Sequence, residues 1–378
     1  MAFGGLISDR GQRLYLARAA EGTFGTAGTL THVFNPLDGF QASGISPEML
    51  SDRGHATGKE FMTKQYPGRR RPTMQVPLPL SPAAWGFGWG FGLGKDTVSG
   101  ATDYVHRFEL LAANSLMLGL TAQYHANGAT YDSDTDWKTM GNYVREVKWT
   151  ISRQGWSRID LDIAGAGYYE AGSTVTESSL QAPECLVPNP KCRVRLKAAG
   201  TEGTTEWGGT WTAQTTSGTF ANTMSSDIDL TPYLDTITFT VRNNPEGEDA
   251  AGTSVGVGSV GGRPKVGVAR DVMVDCTWWL GTDTKAIDRA LANATQANNA
   301  EYSLLAEWVS DTVIGSNLYS GGLIVPLAGL TQKPTPSGGL GQATRTANFE
   351  AKNVTAGTDY GAIRAYLISA TSGVFGAA

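Results

Sequence analysis

Apolar and polar residues alternate along much of this chain. In "SRIDLDIAG", Ile159, Leu161 and Ile163 fall on one side and Arg158, Asp160 and Asp162 on the other. "NYVREVKWTIS" sets Val147, Trp149 and Ile151 against Glu146, Lys148 and Thr150. "ARDVMVDCTWWL" sets Val272, Val274, Cys276 and Trp278 against Met273, Asp275 and Thr277. "SLMLGLTAQY" places Leu116, Leu118 and Leu120 on one side. A period of two sustained over such lengths predicts half-buried strands of antiparallel sheets. Pro77 and Pro79 lie two apart, so their missing N–H groups point the same way, which suits an edge strand.

Two stretches break the alternation. "GTDTKAIDRALANATQANNA" carries Ala286, Ile287, Ala290, Leu291 and Ala294 on one helical face. Thr282 or Asp283 suits its start and Asn298–Asn299 its end, which predicts a helix over Asp283–Asn298. "SPAAWGFGWGFGLGK" alternates glycine with Trp85, Phe87, Trp89, Phe91 and Leu93, and reads at first as a strand. Helix is the better reading. Ser81 and Pro82 suit a helix start, and Trp85/Trp89 and Phe87/Phe91 have i, i+4 spacing. The cost is about 1 kcal/mol per interior glycine relative to alanine, and the helix is expected to end near Gly92–Gly94.

Element order then repeats. Each half reads strand, helix, then four strands, with a long polar loop ahead of the pre-helix strand: Asp52–Arg71 in one half, Pro245–Lys265 in the other. The fold class expected is mainly β with one helix per domain: antiparallel sandwich or barrel domains in two tandem copies. The domains are residues 1–178 and 191–378, joined by a proline-containing linker at 179–190.

Composition agrees. Charged residues are 17% of 378, glycines number 48 and aromatic residues 35, which suits short strands, many turns and a substantial core. The net charge of −5 argues against general nucleic-acid binding, which needs a basic surface. Cys185, Cys192 and Cys276 form no disulfide framework or metal motif and read as reduced thiols. No signal peptide is readable, and no run reaches the roughly 18 apolar residues of a membrane helix.

Catalytic chemistry finds no foothold. Gly94–Lys95 is followed by Asp96, so the P-loop register fails. His32, His55, His106 and His125 are scattered and read as surface or loop histidines. Asp132, Asp134 and Asp136 open like a calcium loop but lack its glycine and distal glutamate, and read as a solvated turn. "PGRRRPT" is the one basic run. Its arginines suit carboxylates of a neighbouring subunit better than DNA in so acidic a chain.

"SDRGHATGKEFMTKQYPGRRRPTMQVPLPLSPAAWGFGWGFGLGK", followed by "VREVKWTIS" and "SRIDLDIAGAG", resembles the major tail tube proteins of long-tailed bacteriophages, most clearly over residues 40–168. The resemblance implies a structural virion protein, no enzyme and without a cofactor or metal. Its β-sandwich domains would set their inner sheets side by side around a hollow tube through which double-stranded DNA passes. It implies an inter-ring loop over 43–72, with Lys59, Lys64, Arg69, Arg70 and Arg71 as inter-subunit or inter-ring contacts. A further contact arm would span Met1–Phe34, and Asp160 and Asp162 would be candidates for charge in the lumen. Most members carry one tube domain and form hexameric rings, so two domains here imply rings of three chains. The implied partners are the chain itself, a tape measure protein, and tail tip, baseplate and tail terminator proteins, with no membrane. The implied location is the virion tail, assembled in the host bacterial cytoplasm, and a non-contractile siphovirus-like tail. The alternatives are another virion β-protein, such as a head–tail joining or capsid decoration protein, and a carbohydrate-binding or hydrolytic β-sandwich.

Overall fold

The alternation around Val147, Ile159 and Val272 does become antiparallel sheet, whereas "SLMLGLTAQY" is strand only from Leu120 onward and Leu116 is exposed. The fold was obtained as a computed structural model, which describes residues 11–44, 46, 49–51, 65–68, 70–126, 128, 130–133, 135–198, 211–213, 220, 222–224, 227–247, 260–282, 284–285, 287, 301–331, 335–337, 343–352 and 361–376. The first half contributes β1 (Arg13–Leu16), β2 (His32–Phe34), β3 (Gln41–Ser43), β4 (Met49–Ser51), β5 (Gln65–Pro67) and β6 (Thr73–Pro79). It continues with α1 (Pro82–Leu93), β7 (Gly94–Ser99), β8 (Tyr104–Leu110), β9 (Leu120–His125), β10 (Trp137–Ser152) and β11 (Arg158–Glu170). The second half contributes β12 (Cys192–Ala198), β13 (Ile228–Asp229), β14 (Leu234–Arg242), β15 (Asp271–Trp279) and β16 (Glu301–Ile314). It ends with β17 (Asn317–Leu330), β18 (Thr335–Ser337), β19 (Thr344–Ala351) and β20 (Arg364–Ser369).

The two halves repeat one topology. In the first, antiparallel pairing runs β2-β1-β9-β10-β11-β6-β3. In the second it runs β13-β12-β16-β17-β19-β15-β14, with each strand at the corresponding place in chain order. Single hydrogen bonds repeat as well. Leu80 N–H donates to Ser157 O, the residue before β11, and Leu280 N–H donates to Ala343 O, the residue before β19. Trp85 N–H donates to Ser81 O, and Lys285 N–H to Gly281 O. Thr284, Lys285 and Ile287 are helical, and the rest of the helix expected over Asp283–Asn298 lies outside the described residues.

The repeat differs in register from the element count read off the sequence. Among the described residues the β7–β8 hairpin has no counterpart in the second half, and β20 has none in the first. These two additions pair with each other, since β8 runs antiparallel to β20 from Tyr104↔Ser369 to Glu109↔Arg364. The halves also fuse at β10–β14, from Glu146↔Arg242 to Ser152↔Thr236. One sheet therefore runs β3-β6-β11-β10-β14-β15-β19-β18 across both halves.

α1 forms where expected and lies wholly buried at the junction. Ser81 caps it, its Oγ accepting from Ala84 N at 3.1 Å, and Gly94 ends it at a left-handed φ of 92°. Trp85 stacks edge-on against Trp149 of the first half at 4.7 Å and packs against Trp308 of the second at 5.7 Å. Its indole N–H donates to Tyr366 O at 2.8 Å. Gly86 and Gly90 share one face, where Phe375 of the C-terminal segment sits. A Cβ on Gly90 would stand 2.6 Å from both the Cβ and the carbonyl oxygen of Phe375. Gly88 and Gly92 lie on the opposite face, against Val147 of β10, as residues two apart on a helix must. The alternating glycines thus admit close neighbours on two sides at once.

Gly90→Ala separates propensity from packing. Propensity alone would stabilise the helix by about 1 kcal/mol, whereas overpacking against backbone costs about 1–3 kcal/mol. Chemical denaturation is expected to show net destabilisation. A gain in stability would reject the close-packing account.

Candidate assembly interface

The continuous sheet buries one face and leaves the other polar. Inward lie Val76, Leu78, Ile159, Leu161, Val147, Trp149, Ile237, Phe239, Val272, Val274 and Phe349. The opposite, mostly polar face carries two cross-strand rows: Gln41, Gln75, Asp162, Glu146, Arg242 and Asp271 in one, and Pro77, Asp160, Lys148, the buried Thr240, Met273 and Glu350 in the next. The edge strand expected from Pro77 and Pro79 needs correction: β6 is flanked by β11 and β3, and the two prolines lie on the stretch of β6 that β3 leaves uncovered. Pro77 turns its carbonyl away from β11 to accept from Leu37 N at 2.8 Å.

Asp160 and Asp162 both lie on this polar face, and neither stands alone. Arg158 Nε donates to Asp160 Oδ2 at 2.9 Å. Asp162 Oδ1 accepts from Gln75 Nε2 at 2.9 Å and from Arg145 at 3.0 Å. Burial pushes the Asp160 carboxyl above its usual range, partly offset by Arg158. Glu146 is raised by burial and lowered by more through hydrogen bonds from Lys148 and Arg242, for a net fall. Arg242 belongs to β14, so this ion pair crosses the seam between the halves.

The sequence reading overlooked three carboxylates. Asp271, Asp275 and Glu350 share the polar face and form no ion pair among the described residues. Their signal was present in the alternation of "RDVMVDCTWW" and "TRTANFEAK". With Asp38, Glu146, Asp160 and Asp162 they make seven carboxylates against five cations, Arg145, Lys148, Arg153, Arg158 and Arg242, so this face is net acidic among the described residues.

The basic run is only partly described. Lys59, Lys64 and Arg69 lie outside the described residues. Arg70 packs over the Tyr169 ring at 5.1 Å, and Arg71 N–H donates to Gly44 O at 3.0 Å. β4 and β5 pair as a two-stranded hairpin within the expected loop 43–72. The expected contact arm Met1–Phe34 needs correction. β1 and β2 are core strands, with Leu14, Tyr15 and Leu16 fully buried, because β1 bridges β2 and β9. Residues 1–10 lie outside the description. The segment 179–190 is tied down: Val187 is fully buried and its N–H donates to Leu80 O at 2.9 Å.

The histidines also need correction. His32, His106 and His125 are buried, and His55 lies outside the described residues. Single polar residues inside strands carry no periodic signature, so their burial was not legible. His106 Nδ1 is 2.9 Å from Asp96 Oδ2, and Nε2 is 2.9 Å from Thr371 O and 3.2 Å from Ser369 Oγ. The order Ser–His–Asp suggests a catalytic triad. However, Ser369 is buried, and the ring ties Asp96 to the C-terminal segment, whose Phe375 N–H donates to the same Asp96 oxygen at 2.8 Å. Asp136, expected in a solvated turn, is also buried and accepts from Ala126 N at 2.6 Å and Asp132 N at 2.8 Å. Asp134 lies outside the described residues.

No protein-family model matches the chain, and no curated protein matches it in sequence. All three cysteines are free, and burial pushes the Cys192 thiol up to about 12. No group of three or more His, Cys, Asp or Glu side chains is arranged to hold a metal ion among the described residues, and none of their helices is long and apolar enough to cross a membrane.

His32 gives this junction an acid sensitivity. It touches the Phe87 ring of α1 at 5.0 Å, and burial with the nearby Arg18 lowers its pKa from 6.5 to about 4. The unfolded chain takes up the proton first, so stability is full above about 6.5 and falls as pH drops toward 4. At about 1.4 kcal/mol per unit the loss reaches about 3 kcal/mol. Urea midpoints at pH 7 and pH 4.5 are expected to differ less in His32→Gln than in the unmodified chain. An equal difference would reject this assignment.

Proposed function

We propose that this chain is the structural subunit of a phage tail tube, polymerising as stacked rings around a channel for double-stranded DNA. One observation carries the reading: two copies of one topology share a single sheet whose open face is polar and net acidic. A wall of this kind suits DNA passage. Fixed carboxylates repel phosphate, and pairing Asp160 and Asp162 with arginines keeps attractive cations from standing alone. Asp271, Asp275 and Glu350 join those two residues as lumen-facing charge. Arg70 and Arg71, with Lys59, Lys64 and Arg69, serve as contacts to an adjacent ring or subunit at the loop 43–72. The partners on this reading are further copies of the chain, a tape measure protein and the tail tip and terminator proteins, and its place is the virion tail.

The test is negative-stain electron microscopy of concentrated protein, together with mass-spectrometric copy number in the particle. Stacked rings or tubes and a copy number among the highest in the virion are expected. A chain present in few copies at one position would favour a head–tail joining role, and a chain bound over the capsid would favour decoration. Either result would overturn the tube reading, as would a strictly monomeric protein.

A further inference from the structure

The repeated topology makes the seam between the halves a template. At that seam the second part of β10 pairs with β14. The counterpart of β14 in the first half is β3, since each pairs with the pre-helix strand of its own half. The counterpart of the second part of β10 is β18. β17 and β18 run in turn along β19, as β10 runs along β11. Both counterparts are outermost in the continuous sheet: among the described residues β3 pairs with β6 alone and β18 with β19 alone.

We propose that β18 of one protomer pairs antiparallel with β3 of the next, repeating between chains the joint that fuses the halves within one chain. The register follows from the repeat. Lys148 lies opposite Asp160 and Thr240, and the strand positions equivalent to these place Thr335 opposite Thr346 and Ser43 opposite Thr73. Thr335 therefore faces Ser43 of the neighbour, as Lys148 faces Thr240. By the same construction Ser337 faces Gln41, as Thr150 faces Thr238.

The occupant is a second copy of this chain because the surface offered at one margin is the partner of the surface offered at the other. Such a head-to-tail contact repeats until it closes, and it covers the strand edges that would otherwise invite misplaced pairing. The edge chemistry restricts where a strand can add. Beyond β3, the β6 edge carries Pro77 and Pro79, which cannot donate, and Leu37 already occupies the Pro77 carbonyl. The strand pairing stands on the repeat alone; closure after three chains rests on the tube reading.

Cysteine pairs test the register in the full-length chain under mild copper–phenanthroline oxidation. Thr150→Cys with Thr238→Cys probes the seam within one chain, where the two hydroxyls already stand 3.3 Å apart, and is expected to cross-link without a change in mass. Ser43→Cys with Thr335→Cys is expected to give a covalent ladder ending at three chains, while each single variant stays at one. Tubes by electron microscopy with no cross-linking of the Ser43/Thr335 pair would overturn the joint and leave the tube reading standing. Cross-linked trimers that never stack would support the joint and reject the tube reading. Failure of the within-chain control would reject the strand register from which the joint is built.

Discussion

The fold depends on how closely α1 is packed from two sides at once. Gly86 and Gly90 let Phe375 of the C-terminal segment lie against the helix at a distance that a side chain would forbid, Gly92 does the same for Val147 of β10, and Gly88 admits Ile159 of β11 at a tight 3.1 Å. A helix with four interior glycines is intrinsically poor, so it exists here because it is enclosed. Each of its residues is buried, and its aromatic side chains fill the space between the two halves. The enclosure is reciprocal: Asn243, at the end of β14, donates to Gly92 O at 2.8 Å and Val144 O at 3.0 Å. The helix of the first half is therefore held by the strands and tail of the second.

That clamp explains why the halves behave as one sheet system. β10–β14 fuses the polar-faced sheet, β8–β20 fuses the strands on the other side, and α1 fills the gap between them. The ion pairs follow the same seams. Glu146 of β10 meets Arg242 of β14, and Glu109 of β8 meets Arg364 of β20 at 2.8 Å. Because such pairs are directional, they help set register at two joints where alternation alone would tolerate a slip of two residues.

A duplicated unit fused edge to edge has a geometric consequence for assembly. Each joint uses up one margin of each copy and leaves one of each kind open, so a chain of two copies presents the same complementary pair of edges as a single copy would. The polar face lies on the same side of every strand in the fused sheet, so extending the sheet extends the face. A net acidic surface on one continuous sheet would in this way extend to any array in which those two edges pair.

Periodicity determined much of this protein directly. Alternation marked β10, β11 and β15 and their buried faces, proline spacing marked the open side of β6, and Ser81–Pro82 with the i, i+4 aromatics marked α1 despite its glycines. These signals are local, set by neighbours a few residues apart. The tertiary structure alone decided the rest. Which strands correspond between the halves was hidden by the inserted β7–β8 hairpin and the added β20, because element counts do not record pairing. The burial of His32, His106 and His125 depends on strands far away in sequence, as does the pairing of Asp160 and Asp162 with arginines. The purpose of the alternating glycines was likewise out of reach, since the residue that requires Gly86 and Gly90 is Phe375, nearly three hundred positions later.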